Sequence, residues 1–379
     1  MSLTDKEIDR PLGQSAGARP AARRPVSAGA VVSGLAVVAI VGAALSIALR
    51  EKPFRQPAPV VTTTPEVAEV APASSAAAPP ADGPKIIQVD PEKRPAPNGV
   101  VVIRDPSAVG QNLRVAHLPE RDLIEDSPTG PLPVRAADGR RPFDVYARPW
   151  SGTRGTRVAI VLGGFAISQT GTQAAIADLP AEVTLAFSPQ GNSIGRWMQE
   201  ARRKGHEIVM QVPLEPFDYP NVDPGRNTLT VEAGAAENLK RLRWALSRTT
   251  NYTGVMNFMG ARFSADQAAM QPLLAELGKR GLAYLDDGSS ARSVAPELAL
   301  KNGVPLAVGD AAIDATRDRR AILQKLDELE RMARAKGFAI GTGSVFGETV
   351  EAVTSWVAEA KKRGIEIVPV SALASDPER

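Results

Sequence analysis

Cysteine is absent from the 379 residues, and histidine occurs only twice, as His117 and His206. The first absence excludes disulfides, thiol catalysis and a lipid-modified cysteine anchor, and it fits an exported chain. The second excludes a histidine-rich zinc centre. Aromatic residues make up 4% of the chain, too sparse for a base-stacking surface, and the net charge of +3 comes from interspersed signs. Nucleic acid is therefore not an expected partner.

What is present is apolar and periodic. Hydrophobic residues make up 43% of the chain, ample for a core. Val158–Leu162 is a continuous apolar run ending at Gly163 and Gly164, the pattern of a strand buried on both faces. Similar runs recur at Val183–Phe187, Ile208–Val212, Val255–Asn257, Leu282–Leu285, Pro305–Val308, Phe338–Ile340 and Glu366–Pro369. Helical patterns lie between most of them: Ser193–Lys204, Ala235–Arg248, Asp266–Arg280, Val294–Lys301, Asp318–Lys336 and Glu348–Arg363. The stripe Ile322, Leu326, Leu329 and Met332 marks one of these as an outer helix packing on a core. Such alternation predicts an α/β fold with a parallel sheet, and the number of units favours a (β/α) barrel of seven or eight strands.

The amino-terminal part is organised differently. Residues 1–27 are polar and read as a disordered cytoplasmic tail. Ala28–Leu49 is 22 residues without a charge, long enough to span a bilayer at about 1.5 Å per residue. It exceeds the apolar region of a cleaved signal peptide, about 7–15 residues, so an uncleaved single-pass helix is expected. Basic residues flank both ends; an inside amino terminus is preferred, which places the carboxyl-terminal domain in the periplasm of an inner-membrane protein. Residues 50–99 are rich in Pro and Ala and read as an extended tether that reaches about 150 Å at ~3.1 Å per residue. Residues 100–152, with short apolar runs, an acidic stretch at Glu120–Asp126 and scattered proline, read as an irregular arm docking on the barrel domain at 153–375.

In parallel α/β folds chemistry gathers at the carboxyl ends of the strands. Those positions hold Gly163 and Gly164, Gln211 and Glu215, Asn257, Asp286 and Asp287, Asp310 and Asp314, and Thr342. The succession VAIVLGGFAIS, LPAEVTLAFSP, GHEIVMQVPLEP, NFMGARF, GLAYLDDGSS, GVP and RGIEIVPVS resembles, in order, the divergent polysaccharide deacetylase family, over about Arg157 to Ser371. The resemblance implies a deacetylase-like barrel in the periplasm, a carbohydrate ligand and a divalent metal held by Asp and His. This chain departs from that pattern at each ligand position. Gly163 and Gly164 replace an Asp pair, Phe258 in NFMGA replaces a histidine, Gln211 replaces the histidine ahead of Val-Pro-Leu-Glu-Pro, and Thr342 replaces the histidine of a late Gly-His-Pro.

The residues left carry the site expectation. Asp286 and Glu215 are the candidate catalytic carboxylates. Adjacent charges at Asp286 and Asp287 need relief, for which Arg292 is near in sequence; the alternative is a capping turn with Gly288 and Ser289. Glu215, between Pro213 and Pro216, offers either a base or an ion pair to Arg262. Candidate ligand-binding residues are Gly163, Gly164, Ser168, Gln211, Asn257, Arg262, Asp287 and Arg292, with Phe217 and Tyr219 in a proline-rich loop as sugar-stacking faces. Gly163 and Gly164 admit close approach of a ligand or a turn at positive φ. His206, at a helix end before its strand, reads as a structural cation on the helix dipole. No resident metal is expected; an all-oxygen site from Glu215, Asp286, Asp287 and Asp310 is the one remaining route to magnesium or calcium.

The expected protein is a membrane-anchored envelope component that binds polysaccharide or a peptidoglycan fragment with weak or no metal-dependent deacetylase activity. The alternatives are an active carbohydrate esterase using carboxylates and a non-catalytic scaffold for a protein partner. A groove plugged by the arm would favour the scaffold.

Overall fold

The computed structural model describes residues 114–379; the apolar run Ala28–Leu49, the tether and residues 100–113 of the arm lie outside the described residues. Among the described residues no helix is long and apolar enough to cross a membrane.

The arm contains a hairpin, β1 (Ile124–Ser127) and β2 (Gly130–Pro133), and a short helix α1 (Pro142–Val145). Then strands and helices alternate. The strands are β3 (Arg157–Phe165), β4 (Thr184–Phe187), β5 (Ile208–Leu214), β6 (Gly254–Met259), β7 (Ala283–Asp286), β8 (Leu306–Val308), β9 (Ala311–Ala312), β10 (Phe338–Ser344) and β11 (Glu366–Ile367). The helices are α2 (Gln169–Asp178), α3 (Ile194–Lys204), α4 (Gly234–Leu246), α5 (Gln267–Arg280), α6 (Ala295–Lys301), α7 (Arg319–Lys336) and α8 (Gly347–Lys362).

Eight strands hydrogen-bond in the order β8-β7-β6-β5-β4-β3-β10-β9, all parallel, with β11 added on the start of β3. The sheet is a parallel half-barrel. Its edge strands β8 and β9 are joined covalently through Gly309-Asp310, whose N–H groups bond Asp286 O at 2.8 Å and Ile340 O at 2.7 Å on the two sides of the gap.

Alternation along each strand sorts the side chains into two layers. One set, including Ile160, Leu162, Leu185, Met210 and Val255, is buried beneath the helices. The other, Ala159, Val161, Ala186, Val209, Met256, Leu285, Ala307 and Ile340, fills the inside of the half-barrel. The interior is closed at the amino ends of the strands by Trp150 and by the segment from Val368 to Ala374. That segment runs from β11 to the start of β8, where Leu306 and Ser375 exchange two backbone hydrogen bonds at 2.9 and 2.7 Å.

The arm docks at this same end. Asn251 Nδ2 donates to Ala116 O and Leu118 O, Arg280 Nη1 to Pro133 O, and the Phe143 N–H to Gly281 O. On the barrel side these groups lie in the turns that precede β6 and β7 and at the last residue of α5. The described part of the arm therefore seals the end opposite the strand carboxyl ends and leaves those ends open.

One helix lies where no helical pattern was read: Gln169–Asp178, which Ser168 Oγ caps by accepting the Gly171 N–H at 3.1 Å. Its Thr and Gly residues hide the helical period. His206 is not a cation on a helix dipole. It is fully buried beside Val183 O, 2.9 Å from Nδ1, and burial lowers its pKa from 6.5 to about 4. A histidine held neutral contributes stability above its unfolded pKa and loses it as the pH falls. Roughly 3 kcal/mol of unfolding free energy is expected to disappear between about pH 6.5 and pH 4, and His206→Gln is expected to flatten that part of an acid titration followed by chemical denaturation.

Candidate functional site

Extending the interior register by one more step toward the carboxyl ends gives the floor of the site. The inward positions are Gly163 on β3, Ser188 after β4, Gln211 on β5, Phe258 on β6, Asp287 after β7 and Thr342 on β10. Gly163 is glycine for a steric reason: a Cβ there would sit 2.4 Å from Gln211 Nε2. Gly164 is glycine for a conformational one, its φ being +87°. Its N–H donates to Gln211 Oε1 at 2.8 Å, which fixes the orientation of the amide, since only the oxygen accepts. Of the two readings offered for this glycine pair, the close approach is made by a side chain of the protein itself and the positive φ by the second residue.

A cleft of about 390 Å³ opens between the ends of β3, β4 and β5, with Ser188, Gln190, Gln211, Pro213 and Phe258 among its walls. The outer wall is the loop after β5. Gln190 Nε2 holds it by donating to Pro224 O at 3.2 Å and Arg226 O at 3.4 Å. Gly225 permits that approach, because a Cβ there would lie 2.2 Å from the same nitrogen. At the cleft stand two exposed apolar side chains, Ile167 and Phe258. No charged side chain lines the cleft.

The carboxylates are committed elsewhere. Glu215 is buried, and its two oxygens accept from Arg262 Nη1 and from the Val231 N–H, each at 2.6 Å. The ion pair to Arg262, offered as the alternative for both residues, is present, and Arg262 also reaches Glu232 at 3.4 Å. Asp286 falls on the outer side of its strand, where it accepts from Ser293 Oγ at 2.5 Å and the Gly288 N–H at 2.9 Å. Burial pushes its pKa up, against the pull of those two donors. Asp287 faces inward and accepts both the N–H and hydroxyl of Ser289, at 2.9 and 2.6 Å. Charge at this pair is thus met by hydroxyls and backbone N–H groups of a turn, not by Arg292, which is exposed. Asn257 is spent as a clasp, accepting the Asp287 N–H and donating to Met259 O, both at 2.8 Å. Ser168 is spent as the helix cap.

The structure therefore brings Gly163, Gly164 and Gln211 together at the cleft and sets Glu215, Arg262, Asn257, Asp286, Asp287 and Arg292 outside its walls. Ser188, Gln190 and Phe258 were not singled out as binding residues by sequence reasoning. The signal available was the polar Ser188-Pro189-Gln190-Gly191 run directly after a strand.

The sequence profile of the divergent polysaccharide deacetylase family matches residues 160–374, more than half of the chain. The chain belongs to this family. Among its relatives, YibQ of Escherichia coli K12 is 22% identical over 222 residues, 59% of this chain and 68% of YibQ. An uncharacterized protein of Haemophilus influenzae is 26% identical over 170 residues, 45% of this chain and 60% of that protein. The crystal structure of the uncharacterized protein ATU2773 from Agrobacterium tumefaciens C58 superposes with a TM-score of 0.64 at 55% identity, covering 64% of this chain and 99% of that one.

The resemblance stated above implies a divalent metal at the strand ends. The inward ring of this family member supplies a glycine, a phenyl ring, a primary amide, two hydroxyls and one carboxylate. Glycine and phenyl offer no ligand atom, and among the described residues no three His, Cys, Asp or Glu side chains form a metal-holding group. Asp310, the remaining oxygen donor considered, is paired with Lys336 and accepts the Ile340 N–H at 2.8 Å. The residues present do not fit the metal.

Proposed function

We propose that this family member is a glycan-binding protein of the cell envelope that holds polysaccharide or a peptidoglycan fragment in the cleft without carrying out metal-dependent deacetylation. The observation that carries this reading is the uncharged cleft at the strand carboxyl ends, walled by amides, a hydroxyl and prolines together with exposed Phe258 and Ile167. Sugars present apolar C–H faces and uncharged hydroxyl and amide groups, and mixed apolar and neutral polar walls suit them. The described part of the arm docks at the other end and leaves this cleft accessible, which favours a glycan over the scaffold alternative. The esterase alternative needs a free carboxylate at the ligand, and Asp286 and Glu215 are both bonded within the protein.

In this proposal the apolar run Ala28–Leu49 anchors the chain in the inner membrane and the half-barrel works in the periplasm. Calorimetric titration with N-acetylchitooligosaccharides and with peptidoglycan fragments tests the binding. Saturable binding is expected, with the same affinity in EDTA and in excess zinc; an affinity that rises tenfold or more with zinc would contradict a metal-free site.

A further inference from the structure

The end of the half-barrel opposite the cleft carries a second cavity, of about 370 Å³, between the loop Trp150–Thr156 and the amino ends of β3 and β10. Its lining includes Trp150, Thr153, Arg154, Thr156 and Arg157, and no carboxylate. Glycine keeps the space open: a Cβ added to Gly155 or Gly337 would meet nothing within 4 Å.

Elsewhere at this end arginine is neutralised within the protein. Arg141 is paired with Asp144, Asp376 and Glu378, Arg135 with Glu378, and Arg379 with Asp144 and Asp376. Arg154 and Arg157 differ, because among the described residues neither forms an ion pair. The Arg157 guanidinium carbon lies 5.6 Å from the centre of the Trp150 ring, and its Nε is buried with no hydrogen-bond partner. Contact with an aromatic face holds the guanidinium in place without supplying an acceptor. A buried charged donor left open is costly, and a counter-ion arriving from solvent relieves it. Glu366, bonded to the loop, accepts the Ser151 N–H at 3.2 Å and the Thr153 hydroxyl at 2.9 Å, and it is not part of the lining. Lys336, next to Gly337, is paired with Asp310.

We infer that this cavity is a binding site for a phosphate monoester, separate from the cleft, with Arg154 and Arg157 as its two cationic contacts. Two uncompensated guanidinium groups match an anion carrying close to two charges, which a phosphate monoester does near neutral pH and a carboxylate does not. The planar donor fork of arginine suits paired phosphate oxygens. The ester comes either from a soluble metabolite or from a phosphatidic acid headgroup, and the recognition chemistry is the same for both. Nothing in this site depends on the glycan reading of the cleft.

The test uses the full-length protein in detergent solution, titrated calorimetrically with inorganic phosphate, glycerol phosphate and dihexanoyl phosphatidic acid, with acetate and glycerol as the singly charged and neutral controls. Saturable binding of the phosphates is expected, at least tenfold tighter than that of acetate and weakening as salt is raised. Arg154→Gln and Arg157→Gln are each expected to lose about tenfold in affinity. Gly155→Glu places a carboxylate where a side chain has open space, and it is expected to abolish binding with the thermal midpoint unchanged. That variant and Arg154→Gln, both at exposed positions, keep the test decisive if Arg157→Gln unfolds. Tighter binding of phosphatidic acid than of glycerol phosphate assigns the ligand to a membrane lipid, and the reverse order assigns it to a soluble ester. No saturable binding of any phosphate, or wild-type affinity in both Arg154→Gln and Gly155→Glu, would overturn the inference. Acetate bound as tightly as phosphate would overturn the assignment to a doubly charged ligand.

Discussion

Replacing Glu215 with alanine is expected to lower the unfolding free energy by about 2 kcal/mol, the cost of leaving the Val231 N–H without its acceptor and of breaking an ion pair whose arginine is partly exposed. The carboxylate joins three separate pieces of chain. It accepts from Arg262 after β6 and from the Val231 N–H at the far end of the long loop, while its own backbone oxygen accepts from Arg262 and Phe263 N–H groups at 3.2 and 3.1 Å. Its removal leaves the Val231 N–H without an acceptor and the Arg262 guanidinium with only the exposed Glu232. Both walls of the loop over the cleft then loosen. For a domain of this size the loss corresponds to a fall of roughly 4–8 °C in the thermal midpoint. Glu215→Gln keeps one oxygen for Val231 and is expected to lose less. If Glu215 were instead a base acting on ligand, alanine would leave stability nearly unchanged, and calorimetry of unfolding separates the two.

A loss of similar size is expected at the closed end of the half-barrel. Glu207, fully buried at the start of β5, accepts the Arg148 N–H at 2.9 Å and the Ser371 N–H and hydroxyl at 3.0 and 2.5 Å. One side chain therefore pins the arm and the carboxyl-terminal segment to the same strand. Glu207→Ala strands three donors in a dry environment and is expected to cost about 3 kcal/mol. The readout that a generic core defect would not give is local. Relative to wild type, trypsin is expected to gain a cut at Arg154, where the arm joins the barrel domain, and to release the arm before the α/β domain is degraded. Uniform digestion of the whole chain would show that the arm is not held at this point.

The α/β alternation was legible because each strand is a dense apolar run and most helices carry a clear period. Val158–Leu162 is wholly buried, and Ile322, Leu326 and Leu329 of α7 face the core as their spacing requires. What escaped was short or carried by polar residues. Ala311–Ala312 is two residues long, β1 is short and mostly polar, β2 includes two prolines, and α2 depends on a Ser168 cap that sequence alone reads as a free hydroxyl. At the site, sequence named Gln211 and both glycines correctly as neighbours of the strand ends, because strand-end position is a one-dimensional property. It could not show that Gln211 occupies the space above Gly163, nor that Gln190 crosses to hold the loop at Pro224, since both are contacts between distant segments. The acidic residues drew the eye for their charge, but charge buried in a fold is generally paired, and pairing is settled only by the fold.

Acetate release from N-acetylated chitooligosaccharides and peptidoglycan fragments tests the central claim most directly, measured on the full-length protein stripped of metal and then supplied with zinc, magnesium or calcium. Strand carboxyl ends that carry Gly163, Gln211, Phe258 and Thr342 have no ligand set with which to activate water, so the account predicts ligand binding in the same samples and no acetate above the protein-free rate under any of these conditions. Metal-dependent acetate release that is lost on Asp286→Ala or Asp287→Ala would contradict it.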